Sequence, residues 1–153
     1  MRKWFCLSAL AWGAFAAAGR PELNGTWQLD RSHSEASDDK LKSETLEIQQ
    51  MEDSVQIADA ITATDGKERK SDIQCNTLGK ECKLKGEQVS IWYNGSMLVM
   101  METRRGGEMV VKKRLKASDD GQTLTMEVTS IAPQGKSESF TFTKQPVTAA
   151  AKH

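Results

Sequence analysis

The sequence has few of the residues on which catalysis and metal binding most often depend. It contains two histidines, His33 and His153, and it lacks a Gly-rich phosphate-binding loop and a metal-spaced cluster of Cys and His. Acidic residues are plentiful but scattered, so no pair is marked for acid–base work. With His33 in a polar stretch, a Ser–His or Cys–His nucleophile has no evident partners. We therefore predict a protein that is not an enzyme and that needs no cofactor and no metal.

Neither sign of charge predominates, and apolar residues are sparse. The chain has 21 Lys and Arg residues and 21 Asp and Glu residues, which gives a formal net charge of zero. This balance argues against nucleic acid or an anionic membrane surface as the main partner. Because Val, Ile, Leu and Phe are few, we expect a thin core with room for a cavity inside it.

A long apolar run occurs at the N-terminus. Arg2 and Lys3 precede a mostly apolar stretch over residues 4–15, and alanines at 16–18 supply the small residues that signal peptidase requires. The run is too short for a comfortable membrane span. The pattern predicts a signal peptide over residues 1–18 and a secreted or periplasmic protein without stable membrane insertion after cleavage. An uncleaved anchor is the alternative.

Two cysteines, Cys75 and Cys82, remain after that cleavage, because Cys6 lies within the signal peptide. An exported protein meets an oxidising compartment, so we predict a structural disulfide between them. The bridge would close a short loop that contains Gly79 and would stabilise the fold by roughly 2.5 kcal/mol.

Short runs of alternating apolar and polar residues follow one another from Leu23 to the C-terminal region. Tight-turn dipeptides separate them, among them Asp65–Gly66 and Asn94–Gly95. Sequential tight hairpins favour an up-and-down meander, and closure into a barrel removes the exposed edges. We predict one all-β domain over residues 19–147, an antiparallel meander of about 8–9 strands closing into a small barrel. Residues 148–153 are predicted to be a disordered tail.

Three segments resemble the sequence motifs of a known family. Asn24–Asp30 is similar to the GTWKLDxxKS opening of lipocalin-like proteins of the kind secreted by environmental bacteria. Ser118–Thr125 resembles their SxDGKTLT element, and Pro133–Lys136 resembles the turn before their last strand. The resemblance implies a calycin-type barrel whose mouth or interior holds a small, mostly apolar molecule.

The resemblance also implies a role for the tryptophan of the first strand. Trp27 is expected to pack at the barrel floor beneath an Arg or Lys from a late strand, and Arg114 is the candidate. A cation over an indole ring contributes about 0.5–2 kcal/mol. Gly25, two residues before Trp27, would allow a close approach at this point.

Several apolar residues are candidates for the wall of a binding site. Met97 and Met101 share one strand face, and flexible thioethers suit either an apolar pocket or an irregular core. Trp92 and Tyr93 lie on opposite faces of their strand, so one of them faces the solvent or the rim. The predicted ligand-binding residues are Trp92, Met97, Met101, Met126, Phe140 and Phe142.

Two functions follow from these observations, and the sequence leaves the ligand and the oligomeric state open. The first hypothesis is an exported lipocalin-like barrel that binds a small hydrophobic or amphipathic molecule without catalysis. The alternative is a solid-cored envelope module that binds another protein through its barrel rim or outer face. An open interior favours the first and a packed interior the second. A catalytic barrel would require a polar cluster inside, around Tyr93, Glu102 or Arg114.

Overall fold

The computed structural model describes residues 19–35 and 39–147, and within them the protein is all-β. The predicted signal peptide, residues 1–18, and the predicted tail, residues 148–153, lie outside the described residues. In the described part, no helix is long and apolar enough to cross a membrane. A single 3-10 turn, Arg105–Gly107, connects two of the strands. The strands are β1 (Gly25–Glu35), β2 (Leu41–Gln50), β3 (Ser54–Ala63), β4 (Glu68–Asn76), β5 (Cys82–Leu84), β6 (Glu87–Asn94), β7 (Met97–Arg104), β8 (Met109–Ala117), β9 (Thr123–Ala132) and β10 (Ser137–Lys144).

The strands form one antiparallel meander that curls into a nearly closed barrel. β1 pairs with both β2 and β10, and this leaves β4 and β5 as the two edges of the sheet. The predicted all-β meander is confirmed, with ten strands in place of about eight or nine. The additional strand is the short segment Cys82–Leu84, which follows the cysteine loop and pairs with β6.

The first strand is longer than its apolar pattern indicates. Alternating apolar residues end at Leu29, yet β1 continues to Glu35. The polar half is held by β10, because Asp30 pairs with Thr141 and the hydroxyl of Ser34 accepts a hydrogen bond from the Thr141 amide at 3.0 Å. Strand pairing therefore extends into a segment that lacks any apolar face.

A disulfide joins the two edges of the sheet. The predicted bond between Cys75 in β4 and Cys82 in β5 is confirmed. Beside it, the amide of Gly79 donates a hydrogen bond to the carbonyl of Ile91 in β6 at 2.9 Å. Among the described residues no strand ladder joins β4 to β5 or β6. The disulfide and its neighbouring loop thus hold the barrel together along this seam.

One end of the barrel interior is closed by tightly packed apolar side chains. The Trp27 indole donates a hydrogen bond from Nε1 to the carbonyl of Leu23 at 2.9 Å, so its polar atom is satisfied in the core. Gln50 ties the N-terminal segment to this end, because its Nε2 donates to the hydroxyl of Tyr93 and to the carbonyl of Pro21, each at 2.9 Å. The fully buried side chains of this closed end include Leu23, Trp27, Val55, Leu98, Leu124 and Phe142.

The cation beside Trp27 is a lysine from the last strand, and the expectation of Arg114 is wrong. Lys144 in β10 places its Nζ 5.3 Å from the centre of the Trp27 ring. Arg114 pairs instead with Glu127 on the outer face, because it alternates with the inward-facing Leu115 along β8. Gly25 is required here: its φ is +133°, and a Cβ would lie 2.9 Å from Cε of Lys144. The glycine therefore makes room for the lysine stem that crosses to Trp27.

Candidate binding cavity

The half of the barrel opposite the closed end contains a cavity of about 810 Å³. This volume lies within the range of about 300–1,000 Å³ that is usual for small-molecule pockets. Exposed residues at the start of β4, residues 67–71, line it from one edge of the sheet, and residues 84–87 around the β5–β6 turn line it from the other. The cavity therefore opens at the unpaired part of the seam.

The inner wall of the cavity is mostly apolar. Strict alternation along each strand directs every second side chain inward, so one face of the sheet supplies the wall. Neighbouring strands continue the same surface, since Leu115 in β8 lies opposite both Leu98 in β7 and Met126 in β9. The apolar lining consists of Leu46, Ile57, Ile73, Met100, Leu115, Met126, Val128 and Phe140, together with the partly exposed Leu41, Ile61, Ala63 and Leu84.

Charged side chains interrupt this wall, and one group of them lies on β7 and β8. Glu102 is only 2% exposed, and its carboxylate accepts Nζ of Lys113 at 2.7 Å and a guanidinium nitrogen of Arg104 at 2.5 Å. Burial alone raises the pKa of Glu102, but the charges and hydrogen bonds of Lys113 and Arg104 outweigh burial and hold the pKa below its ordinary value. This carboxylate is ionised and its acceptors are occupied.

A second charged group lies on β2 and β3, where two carboxyls face each other. Glu44 is 5% exposed, and Asp59 lies diagonally from it, because Leu46 pairs with Asp59 and Glu44 pairs with Ile61. The two side chains are hydrogen-bonded to each other. One oxygen of Asp59, Oδ1, is buried and makes no hydrogen bond. The pair therefore keeps an unused acceptor at the cavity wall.

The two carboxyls of this pair titrate at higher pH than carboxyls in water. Burial, followed by the charge of Asp59, raises the pKa of Glu44 to about 7, against opposing effects of Lys113 and Arg69. Burial also raises the pKa of Asp59, and the same two cations oppose it. At neutral pH the pair consequently holds a proton that a carboxyl in water would have lost.

The structure separates the six predicted ligand-binding residues into three groups. Met126 and Phe140 line the cavity, whereas Phe142 is fully buried at the closed end. The predicted wall position of Trp92, Met97 and Met101 is wrong, because these residues alternate with the inward-facing Ile91, Leu98 and Met100 and lie on the outer face. The inward methionines are therefore Met100 and Met126, and the inward aromatic of β6 is Tyr93.

A Ser–His–Asp group lies outside the cavity, on the polar half of β1. Asp30 Oδ2 and Ser32 Oγ both contact Nδ1 of His33, at 2.7 and 3.0 Å. A nucleophile relay needs the serine and the acid on different ring nitrogens. The group is exposed, and it caps the local backbone through the hydrogen bond from the Ser32 amide to Asp30 at 3.0 Å. Within the described residues no group of three or more His, Cys, Asp and Glu side chains is arranged to hold a metal ion.

Four of the charged residues in the cavity were missed by the sequence analysis, although the sequence contained a signal for them. Three of them lie two positions from a buried apolar residue and so fall on the inward face, and Arg104 lies two positions from the buried Glu102. Glu44 precedes Leu46 in this way, and Lys113 precedes Leu115. A charged residue in phase with an apolar alternation is unusual, because burial of a charge is costly without a partner. The four residues are Glu44, Asp59, Arg104 and Lys113.

The barrel superposes on several solved structures of low sequence identity. Fatty-acid-binding protein 1 of Echinococcus granulosus matches with a TM-score of 0.62 and 12% identity over 81% of this chain and 98% of that one. The wild-type fluorescent protein UnaG matches with a TM-score of 0.59 and 15% identity over 80% of this chain and 97% of that one. At identities this low the likeness shows the fold, an antiparallel up-and-down β-barrel.

A third solved structure that superposes on this barrel is a heat-soluble SAHS protein from Ramazzottius varieornatus. Its TM-score is 0.59, with 12% identity over 80% of this chain and 95% of that one. No protein-family model matches the sequence, and no curated protein matches it either. At these identities the likeness establishes the fold, and the resemblance to secreted bacterial proteins stays a prediction.

Proposed function

We propose that this protein binds a small hydrophobic or amphipathic molecule inside its barrel and does not catalyse a reaction. The observation that carries the proposal is the cavity of about 810 Å³ with its mostly apolar wall. An apolar molecule that enters such a cavity gains about 25 cal/mol of favourable free energy for each Å² of apolar surface removed from water. The opening between the edge strands gives such a molecule a route to the interior.

The comparisons support the same kind of function without naming the ligand. One of the superposing barrels is a fatty-acid-binding protein, and its name states what that protein binds. Its structure and this one superpose with a TM-score of 0.62, which supports an interior of similar use. The alternative of a solid-cored module receives less support, since the cavity half of the barrel is not filled by side chains.

We further propose that the protein functions after export, in the periplasm or outside the cell. Two observations support this location. The N-terminal residues have the composition of a signal peptide, and the disulfide between Cys75 and Cys82 suits an oxidising compartment. Mass spectrometry of the protein from a culture would test it, because a mature chain beginning near Gly19 is the expected product.

Native mass spectrometry after incubation with a mixed lipid extract tests the binding function. We expect a reproducible adduct of lipid-like mass on the wild-type protein. Met126→Trp narrows the cavity and should reduce the adduct fraction. Met101→Trp makes the same substitution on the outer face and serves as the matched control, which should leave the fraction unchanged.

Two results would count against binding inside the barrel. A clean mass without any adduct would favour the solid-cored module. Equal adduct fractions for the two tryptophan variants, with thermal melts showing that both are folded, would place the bound molecule on the surface. Val128→Trp offers a second inward substitution if Met126→Trp does not fold.

A further inference from the structure

Two charged groups in the cavity differ in how much hydrogen-bonding capacity they leave unused. Lys113 and Arg104 both contact Glu102 and occupy the acceptors of its carboxylate, and Nε of Arg104 lies 3.5 Å from Glu87. Among the residues that the structure describes, Glu44 and Asp59 contact no cation at ion-pair distance and are hydrogen-bonded to each other. The unused polar capacity of the Glu44–Asp59 pair therefore consists of acceptors, whereas Nε of Arg104 is a buried donor that makes no hydrogen bond.

The unused acceptors of this pair are buried, and burial makes an unpaired acceptor energetically costly. Only 5% of Glu44 is exposed to solvent, and the residue lines the cavity. Oδ1 of Asp59 is buried there without a hydrogen-bond partner. Buried polar atoms in folded proteins nearly always have partners, so an orphaned acceptor at a cavity wall points to a partner that arrives from the cavity.

We propose that Glu44 and Asp59 select ligands whose polar end carries a protonated amine. The inference rests on the proposed binding function and adds the class of ligand to it. An ammonium group has three hydrogen-bond donors and no acceptor, which complements two adjacent carboxyls. A ligand carboxylate would meet like charge at this pair, and a hydroxyl would gain hydrogen bonds without the added strength of a charge.

The charges that face the pair set the pH dependence of this selection. Lys113 from β8 and Arg69 from β4 favour the ionised pair, whereas the carboxylate of Glu102 from β7 disfavours it. As pH rises from about 6 to about 8, the pair loses its shared proton, while an alkylamine with a pKa near 10 stays charged. Amine affinity should therefore increase over this interval, and the affinity of an uncharged ligand should not.

Calorimetric titration of the full-length mature protein with three ligands of the same chain length tests the proposal. Decylamine, decanol and decanoic acid share one apolar tail and differ in the polar end. At about pH 8, decylamine is expected to bind about tenfold more tightly than decanol, in keeping with a charge-assisted hydrogen bond, and decanoic acid should bind least tightly.

Variants assign that preference to the pair. The double variant Glu44→Gln and Asp59→Asn keeps the shape of the wall and removes its charge, so decylamine should lose its advantage while decanol affinity is retained. Glu47→Gln changes an exposed glutamate of the same strand and should alter neither affinity. If the double variant fails to fold, the single variant Glu44→Gln serves, with a partial loss of the preference.

The outcomes separate the inference from the function on which it rests. If decanol or decanoic acid binds as tightly as decylamine, or if the preference survives in the double variant, the amine proposal is overturned and cavity binding stands. If none of the three ligands binds and the lipid extract also gives no adduct, both proposals are overturned.

Discussion

The two ends of the barrel interior are formed by the same strands and are filled in different ways. β7 contributes Leu98 to the closed end and Glu102 to the cavity end, although the two residues lie on one face of one strand. β3 likewise contributes Val55 to the closed end and Asp59 to the cavity end. At the closed end the side chains are apolar and packed against one another. At the cavity end they leave a large space and include ionisable groups.

This difference indicates where the stability of the fold comes from. Buried apolar area stabilises a protein, whereas a buried ion pair contributes little net stability because both charges lose their hydration. The closed end should therefore supply most of the stability that keeps the charged cavity end folded. Proteins commonly carry such unfavourable features where they bind ligands and offset them elsewhere in the fold.

Truncation of the tryptophan at the closed end should have the largest effect. Trp27 is fully buried, and Trp27→Ala removes its packing and the indole hydrogen bond to Leu23. We expect a loss of about 3–5 kcal/mol in the free energy of unfolding, measured by urea denaturation. Trp92→Ala is the control, since Trp92 lies half-buried on the outer face, and it should cost about 1 kcal/mol. Similar losses for both variants would mean that the closed end does not dominate stability.

Opening the seam should have the next largest effect. Replacement of Cys75 and Cys82 by serine, or reduction of the wild type, removes a cross-link between the two edge strands. The expected loss is roughly 2.5 kcal/mol. Hydrogen exchange should also accelerate more in β4 and β5 than in β1 and β10, which are paired on both sides. An unchanged melting temperature, or uniform acceleration across the sheet, would show that the disulfide does not hold the seam.

Much of the fold could be predicted from the sequence because strand alternation and tight turns are local signals. The Asn94–Gly95 turn was predicted from its dipeptide, and the disulfide between Cys75 and Cys82 was predicted from the expected oxidising compartment. Neither prediction needed tertiary information. The phase of a strand was harder to assign. Two of the methionines, Met97 and Met101, share a face as expected, yet the buried face of β7 is the other one, because Leu98 and Met100 lie opposite inward residues of β6 and β8.

The candidate site could be predicted only in part, since it depends on which strands come together around the cavity. Glu44 and Lys113 are far apart in the chain and lie on opposite parts of the sheet, and only barrel closure places both at one cavity. The covering lysine of Trp27 illustrates the same limit. A late-strand cation was expected from the resemblance, but the choice between Arg114 and Lys144 required the strand register.

Stability as a function of pH should distinguish the two buried glutamates of the cavity, with the smallest of the three effects. The pKa of Glu44 is raised from 4.5 to about 7, so the folded protein binds more protons than the unfolded chain between these values. The free energy of unfolding contributed by Glu44 must therefore fall as pH rises through this interval. The pKa of Glu102 is lowered, so its contribution is present above the unfolded value of 4.5 and is lost as pH falls through the folded value.

Glutamine variants of Glu44 and Glu102 test these opposite pH dependences of stability in one experiment. Glu44→Gln should be more stable than wild type by about 1–2 kcal/mol near pH 8, where the wild-type pair is ionised, and nearly equal to it near pH 5. Glu102→Gln should be less stable than wild type at both values, because Lys113 and Arg104 lose the carboxylate that they contact, and the difference should shrink only in stronger acid. Urea denaturation at the two pH values provides the comparison. If Glu44→Gln destabilised the protein near pH 8 as Glu102→Gln does, Glu44 would have a cation as its partner, and the free acceptors on which amine selection depends would not exist.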